Sequence, residues 1–208
     1  MNKYTKNYFI KHGYQGSLHS DKYFKFLLTY IPNLEKKKIL DDGCAIGLFL
    51  KNNYNINSMG IDISEYAVKN AIINNPKKRF KILDLNILPF NSKEKFDVIT
   101  MFDIIEHLYS YIEVRDIIEK NLKKDGFIVI TTPNANSVLR FLSKTNFTGE
   151  IDKTHTLLYT PYTLDFFLKR INLKKILLIT PFSFYYKDNF FTKKILIGGQ
   201  ILAIYKKG

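Results

Sequence analysis

Residues 38–50 read KILDDGCAIGLFL. A short apolar strand runs into Asp41, a turn holds Gly43 and Gly47, and the apolar residues that follow begin a helix. A glycine turn between strand and helix lets backbone N–H groups approach a ligand at the helix start, because no side chain stands in the way. Asp62 ends the next apolar run, in MGIDIS, where it can accept hydrogen bonds from a ribose diol. Turn, spacing and acidic strand end together point to a nucleotide-like ligand at the strand tips. Taken alone, Asp62 would serve equally as a helix cap, although Ser64 is better placed for that.

Outward from this stretch, short apolar runs alternate with segments of helical periodicity. Strands are expected at 38–41, 57–61, 80–83, 96–101, 127–131, 175–180 and 199–205. Ala67, Val68, Ala71 and Ile72 form one helical stripe behind Ser64, and Val114, Ile117, Ile118 and Leu122 form a second, ended by a KKDG turn. Leu164, Phe167, Leu168 and Ile171 form a third, entered through Pro161. This alternation predicts an α/β fold with a doubly wound sheet. No helix is legible between Thr180 and Gly199, so the last two strands are read as an antiparallel pair with the seventh beside the sixth. Without repeats or a linker, residues 1–208 are expected to form one domain, with 1–36 as a helical cap and 134–161 as a substrate lid.

The net charge of +13 comes from 32 basic against 19 acidic residues. Such a balance suits nucleic acid or an anionic surface. Arginine, however, occurs only at Arg79, Arg115, Arg140 and Arg170, and the lysines are spread among abundant Asn and Ile, as an A·T-rich genome produces. No DNA partner is expected. No apolar run approaches the roughly 20 residues of a transmembrane segment, and peripheral membrane contact stays open. The N-terminus lacks a signal-peptide core and Cys44 has no second cysteine to pair with, so the expected location is cytoplasmic.

DDGCAIG resembles the first motif of the class I S-adenosyl-L-methionine-dependent methyltransferases. GIDIS is similar to their ribose-binding strand end, and LDLNILPF to the loop whose acidic residue lies near the adenine amine. FDVITMFDIIEHL resembles the fourth strand and its loop, LKKDGFIVITTPN the fifth strand, and DKTHTLLYTPYTLDFFLKR a segment of the small-molecule branch. That branch includes ubiquinone O-methyltransferases and enzymes that modify glycans or lipids. The resemblance runs in order over residues 39–170 and implies a Rossmann-like seven-stranded sheet, mostly parallel with an antiparallel C-terminal strand. It also implies S-adenosyl-L-methionine as cofactor, released as S-adenosyl-L-homocysteine. The implied cofactor residues are Asp41, Gly43, Cys44, Ala45, Gly47, Asp62, Ile63, Asp84, Leu85, Phe102 and Asp103. Where the family usually has glycine this chain has Ala45, whose methyl either crowds the cofactor carboxylate or fits. Phe102 also reads as plain core, and Asp84 as a solvated loop carboxylate.

Methyl transfer depends on alignment in a desolvated pocket, and a hydroxyl acceptor gains from a base. His107, after the fourth strand, is the candidate base, with organisation of the loop as its alternative. If the loop opens a helix, Asp103, Glu106 and His107 fall at i, i+3 and i+4 and can face one divalent cation, as in some ubiquinone O-methyltransferases. A metal is not the favoured reading, and Asp103 is expected to face the cofactor or serve structure. His155, Tyr159 and Tyr162 are expected to line the acceptor pocket, with backbone bonding as the alternative for His155. Tyr8, Phe9 and Tyr14 are expected on a helix packed at the sheet edge, or else closing over the cofactor. The acceptor is expected to be a hydroxyl of a small molecule, glycan or lipid-linked precursor. A nucleic-acid (RNA) methyltransferase competes, although FDIIEH replaces the Asn/Asp-Pro-Pro-Tyr/Phe motif of exocyclic-amine enzymes. So do a non-catalytic adenosyl-binding protein and a nicotinamide dehydrogenase, the last weakened by the missing G-x-G-x-x-G spacing.

Overall fold

Ile39–Asp42 (β1) is buried at every position, the pattern of a strand in the middle of a sheet with both faces covered. The computed structural model describes residues 4–11, 17–87, 90–138, 152–181 and 195–208. Two helices, Lys6–Lys11 (α1) and Ser17–Leu28 (α2), precede β1. After it come Leu48–Lys51 (α3), Met59–Asp62 (β2), Glu65–Asn74 (α4), Arg79–Ile82 (β3) and Phe96–Phe102 (β4). A 3₁₀ turn at Ile105–His107 leads to Tyr111–Asn121 (α5) and Leu122–Pro133 (β5). Pro161–Arg170 (α6), Leu173–Ile179 (β6) and Gln200–Lys207 (β7) complete the order.

The sheet runs β3-β2-β1-β4-β5-β7-β6. β1 pairs in parallel with β2 and β4, β2 with β3, and β4 with β5, while β7 is antiparallel to both β5 and β6. The seven-stranded, mostly parallel sheet with an antiparallel C-terminal strand is as expected. The antiparallel seventh strand slots between β5 and β6, so no helical crossover is needed to reach it.

Neighbouring residues of the central strands feed opposite faces. Leu40, Ile99 and Ile130 join α5 and α6 through Val114, Ile117, Leu164 and Leu168, while Ile39, Val98 and Val129 join α2 through Phe24 and Leu27. The second and third helical stripes point inward as expected. The first is narrower: Ala67, Val68 and Ala71 are buried, but Ile72 is 47% exposed. Ser64 caps α4, its Oγ accepting from the Ala67 amide at 3.3 Å. The KKDG turn lies inside β5, because Leu122 already pairs with Phe96 before Phe127 pairs with Val98. Residues 123–126 form the bulge between these pairs, and Asp125 takes φ 60 within it.

Asp42 ends β1 with no exposed surface, and neither carboxylate oxygen has a hydrogen-bond partner. Burial, and after it the neighbouring Asp41 carboxyl, holds its pKa well above the ordinary carboxylate range. The folded chain therefore keeps a proton that the unfolded chain gives up, and stability is lost as pH rises. Replacing Asp42 by leucine, which has the same branched heavy-atom skeleton, is expected to raise the unfolding free energy by about 2 kcal/mol. Denaturant melts should show a gain that grows toward alkaline pH; a loss of stability, or a gain independent of pH, would contradict this.

Candidate functional site

β1 and β4 are neighbours, yet the chain leaves them toward opposite ends of the sheet, and open α/β sheets leave a crevice at the strand tips where this happens. A cavity lies there. Gly43, Ala45, Asp62, Ile63, Asp84 and Leu85 line one side, and Phe102, Asp103 and His107 the other. Asp41, Cys44 and Gly47 do not line the cavity.

The turn is built by backbone geometry. Gly43 and Gly47 both take φ 76, and a Cβ at Gly43 would stand 1.9 Å from Ile104 Cδ1. A Cβ at Gly47 would come within 3.2 Å of the Ala71 Cα on α4. The amides of Gly43 and Cys44 donate to the Ile61 carbonyl at 2.8 and 2.9 Å, tying the turn to β2. Asp62 completes the tie: Oδ2 accepts from the Ala45 amide at 2.9 Å and Oδ1 from the Ser64 amide at 2.8 Å. Burial raises its pKa, and these amide bonds act in the opposite direction. Beneath the turn, the Thr100 hydroxyl donates to Asp41 Oδ1 at 2.5 Å. Burial pushes the Asp41 carboxyl up to about 7.

The opposite wall comes from the turn after β4. Asp103 takes φ 53; its amide donates to the Thr131 carbonyl at 3.0 Å, and its Oδ1 accepts from Gln200 Nε2 at 2.8 Å and Thr131 Oγ1 at 3.1 Å. Because Asp103 is left-handed and the helix that follows is a 3₁₀ turn, it does not share a helical face with Glu106 and His107, which corrects the expected spacing. The group whose ligand atoms lie within 4.8 Å of one another is Glu106, His107 and His155. Glu106 is buried; Oε2 accepts from Thr132 Oγ1 at 2.9 Å, whereas Oε1 has no hydrogen-bond partner. Burial drives its carboxyl well above the ordinary range. A buried carboxyl with one unpartnered oxygen, close to two imidazoles, is a donor set that fits a divalent transition-metal ion.

His107 is held by residues that sequence reasoning missed. Its Nδ1 lies 2.9 Å from Thr154 Oγ1, 3.3 Å from the Thr154 carbonyl and 3.4 Å from the Tyr4 hydroxyl. The Thr154 hydroxyl donates to Asp152 Oδ1 at 2.6 Å, so its only proton is committed. Nδ1–H is therefore the donor to Thr154, and the Nε2 lone pair is left available. Burial, and then the nearby His155, lowers the His107 pKa, which keeps the ring neutral near pH 7. The 3₁₀ turn is stapled to residues 154–157 because the Glu106 carbonyl accepts from the amides of Thr156 and Leu157 at 2.7 and 3.1 Å.

The acceptor-pocket residues separate. His155 packs edge-on to His107, with ring centroids 4.7 Å apart. Tyr159 is core, its hydroxyl 3.4 Å from the Ile105 carbonyl, and Tyr162 on α6 is 68% exposed; none of the three lines the cavity. Tyr8 and Phe9 line the cavity along with Tyr4, which matches the reading that they close over the cofactor, and Phe9 also packs on Tyr66 of α4 with ring centroids 5.8 Å apart. Tyr14 and residues 139–151 of the expected lid lie outside the described residues. Asn86, also unforeseen, ties the loop after β3 to the 3₁₀ turn by donating to the His107 carbonyl at 3.1 Å.

Ala45 takes φ 47, a conformation that costs an L-residue with a Cβ about 1 kcal/mol. Ala45→Gly is accordingly expected to stabilise the chain by about 0.5 to 1 kcal/mol in thermal unfolding. A loss of stability would mean that the methyl packs productively.

Comparison with known proteins matches residues 14–178 to a family model described as a methyltransferase domain. A ubiquinone biosynthesis O-methyltransferase of Haemophilus ducreyi is 29% identical over 122 residues, 53% of this chain and 51% of that protein. An uncharacterized protein of Methanocaldococcus jannaschii is 27% identical over 126 residues, 56% of this chain and 51% of that protein. This chain thus spans about half the length of the curated relatives it matches. The crystal structure of a SAM-dependent methyltransferase from Archaeoglobus fulgidus shares the fold at a TM-score of 0.66, with 22% identity over 98% of this chain and 100% of that chain.

Proposed function

The chain belongs to the class I S-adenosylmethionine-dependent methyltransferase family, and from that premise we propose that it transfers a methyl group to a hydroxyl of a small molecule, sugar or lipid-linked precursor. The observation that carries the hydroxyl reading is His107, a neutral imidazole on the cavity wall whose Nδ1 proton is fixed by Thr154. The other nitrogen is thereby in the state a general base needs. Asp152 orients Thr154 and, through its charge, also favours the protonated form of His107.

S-adenosylmethionine supplies an electrophilic methyl carried on a sulfonium. The cavity suits it in two respects: Ile63, Leu85 and Phe102 offer apolar walls for a flat base, and Asp62, Asp84 and Asp103 offer acceptors for a ribose diol, an amine and a cationic centre. Gly43 leaves backbone bare where the turn meets Ile104 on the same cavity wall, and any side chain there would collide with Ile104. Tyr4, Tyr8 and Phe9 at the mouth exclude water from the reacting groups. His107 takes the hydroxyl proton on Nε2, and the Nδ1–H bond to Thr154 steadies the imidazolium that results.

The unpartnered Oε1 of Glu106 favours a second reading. Glu106, His107 and His155 would then hold a divalent ion that lowers the pKa of the acceptor hydroxyl as a Lewis acid. The two readings separate on chelation: loss of turnover in EDTA, restored by a divalent metal, supports the ion, and indifference to EDTA supports the base.

Incubation with methyl-labelled donor and a panel of phenolic, sugar and polyprenyl-linked hydroxyls is expected to give labelled product. His107→Gln should lower kcat about 10²- to 10⁴-fold with donor affinity unchanged. The acid limb of the wild-type pH profile should lie below 6.5, the ordinary imidazole value, and vanish in the variant. Unchanged kcat in His107→Gln, or labelling confined to RNA, would refute the reading.

A further inference from the structure

The lysines that look scattered along the chain converge once the strands are aligned. β1 through β6 start at the edge opposite the cleft, and β7, running antiparallel, ends there. Each of these ends but that of β2 brings lysine with it: Lys36 before β1, Lys77 before β3, Lys95 before β4, Lys124 in the β5 bulge, Lys174 opening β6 and Lys207 closing β7. Lys36, Lys77, Lys95, Lys124 and Lys174 are exposed. Lys37 and Lys206, from opposite ends of the sequence, both stand 6.0 Å from the centre of the Phe127 ring. Among the described residues, acidic partners at this edge are fewer than the cations: Glu94 pairs with Lys38 and Arg79, Asp97 with Lys123, Asp125 with Lys206 and Asp165 with Lys175. A surplus of positive charge remains.

The entry to β2 differs. Its loop, residues 52–58, holds Tyr54 75% exposed and Ile56 59% exposed. The loop is braced: the buried Asn53 donates through Nδ2 to the carbonyls of Leu34, Glu35 and Lys37, at 3.1, 3.2 and 2.9 Å. Lys78 Nζ donates to the carbonyls of Asn53 and Asn55 at 2.6 and 3.1 Å. Two large apolar side chains are thus held in water by a rigid support beside a band of ammonium groups. Interfacial membrane proteins use this combination, with apolar side chains entering the headgroup boundary while lysines meet lipid phosphates. Nucleic acid fits less well, because, among the described residues, Arg79 beside this loop is already engaged by Glu94 and the Asn57 carbonyl, and Tyr54 is the one ring at the tip on which a base could stack.

We propose that the edge of the sheet opposite the cleft, with Tyr54 and Ile56 at its tip, docks on an anionic lipid surface. Docked this way, the chain keeps its cleft open to the aqueous side. The test is co-sedimentation of the full chain with phosphatidylcholine vesicles, with and without phosphatidylglycerol, over a range of salt. The chain is expected to sediment with the anionic vesicles, to stay in solution with the neutral ones, and to be released by salt. The pair Lys124→Glu and Lys174→Glu should weaken binding at least about 25-fold, at about fivefold per lysine. The pair Tyr54→Ser and Ile56→Ser should weaken it at least about tenfold. All four positions are at the surface, and unchanged circular dichroism would show that the variants fold. Absence of binding to anionic vesicles, binding insensitive to either pair, or preference for duplex DNA or RNA regardless of Tyr54 and Ile56 would overturn the proposal.

Discussion

The carboxylate of Asp62 is the constraint on which the site depends. By accepting from the amides of Ala45 and Ser64 it joins the turn after β1 to the start of α4, across the gap between two strands. That turn runs through left-handed backbone at Gly43, Ala45 and Gly47, which the glycines adopt freely and Ala45 holds only because its surroundings fix it. The Ile61 carbonyl supplies the other half of the clamp by accepting from Gly43 and Cys44. Asp62 lines the cavity as well as holding the turn, so the residue that shapes the site can also grip a ligand.

On the other wall the fold solves a different problem, the orientation of an imidazole. Asp152, Thr154 and His107 form a short relay in which one committed hydroxyl proton decides the tautomer. Tyr4 arrives from the far N-terminus, and residues 154–157 from beyond β5, so the group is assembled from three distant parts of the chain. Buried, mutually repelling acids surround it, with Glu106 and Asp103 both raised by burial. Sites that carry chemistry gather perturbed groups of this sort. Asp42 is a perturbed group of another sort, a buried carboxyl without a partner and outside the cavity.

The fold was legible because its signals are local. Apolar runs in period mark strands, Ser64 and Pro161 mark helix starts, and the absence of a helical pattern in the sequence before β7 pointed to the antiparallel pair. The cleft was legible for the same reason, since Gly43, Asp62 and Asp84 follow strand ends at short spacing. What could not be read was anything that depends on a turn of unusual geometry or on distant segments meeting. Asp103, Glu106 and His107 look like one helical face only if the loop is helical, and the left-handed Asp103 prevents that. Tyr162 reads as a pocket residue by its neighbourhood in sequence, yet α6 turns it to solvent. The lysines look dispersed because strand alignment, and not chain order, brings them to one edge.

Calorimetric titration of the purified chain with S-adenosylhomocysteine, beside NAD and beside the Asp62→Ala variant, tests the central claim most directly. The account predicts a saturable heat with S-adenosylhomocysteine, none with NAD, and a marked weakening when the Asp62 clamp is removed. No heat with S-adenosylhomocysteine, or an affinity untouched by the loss of Asp62, would contradict it.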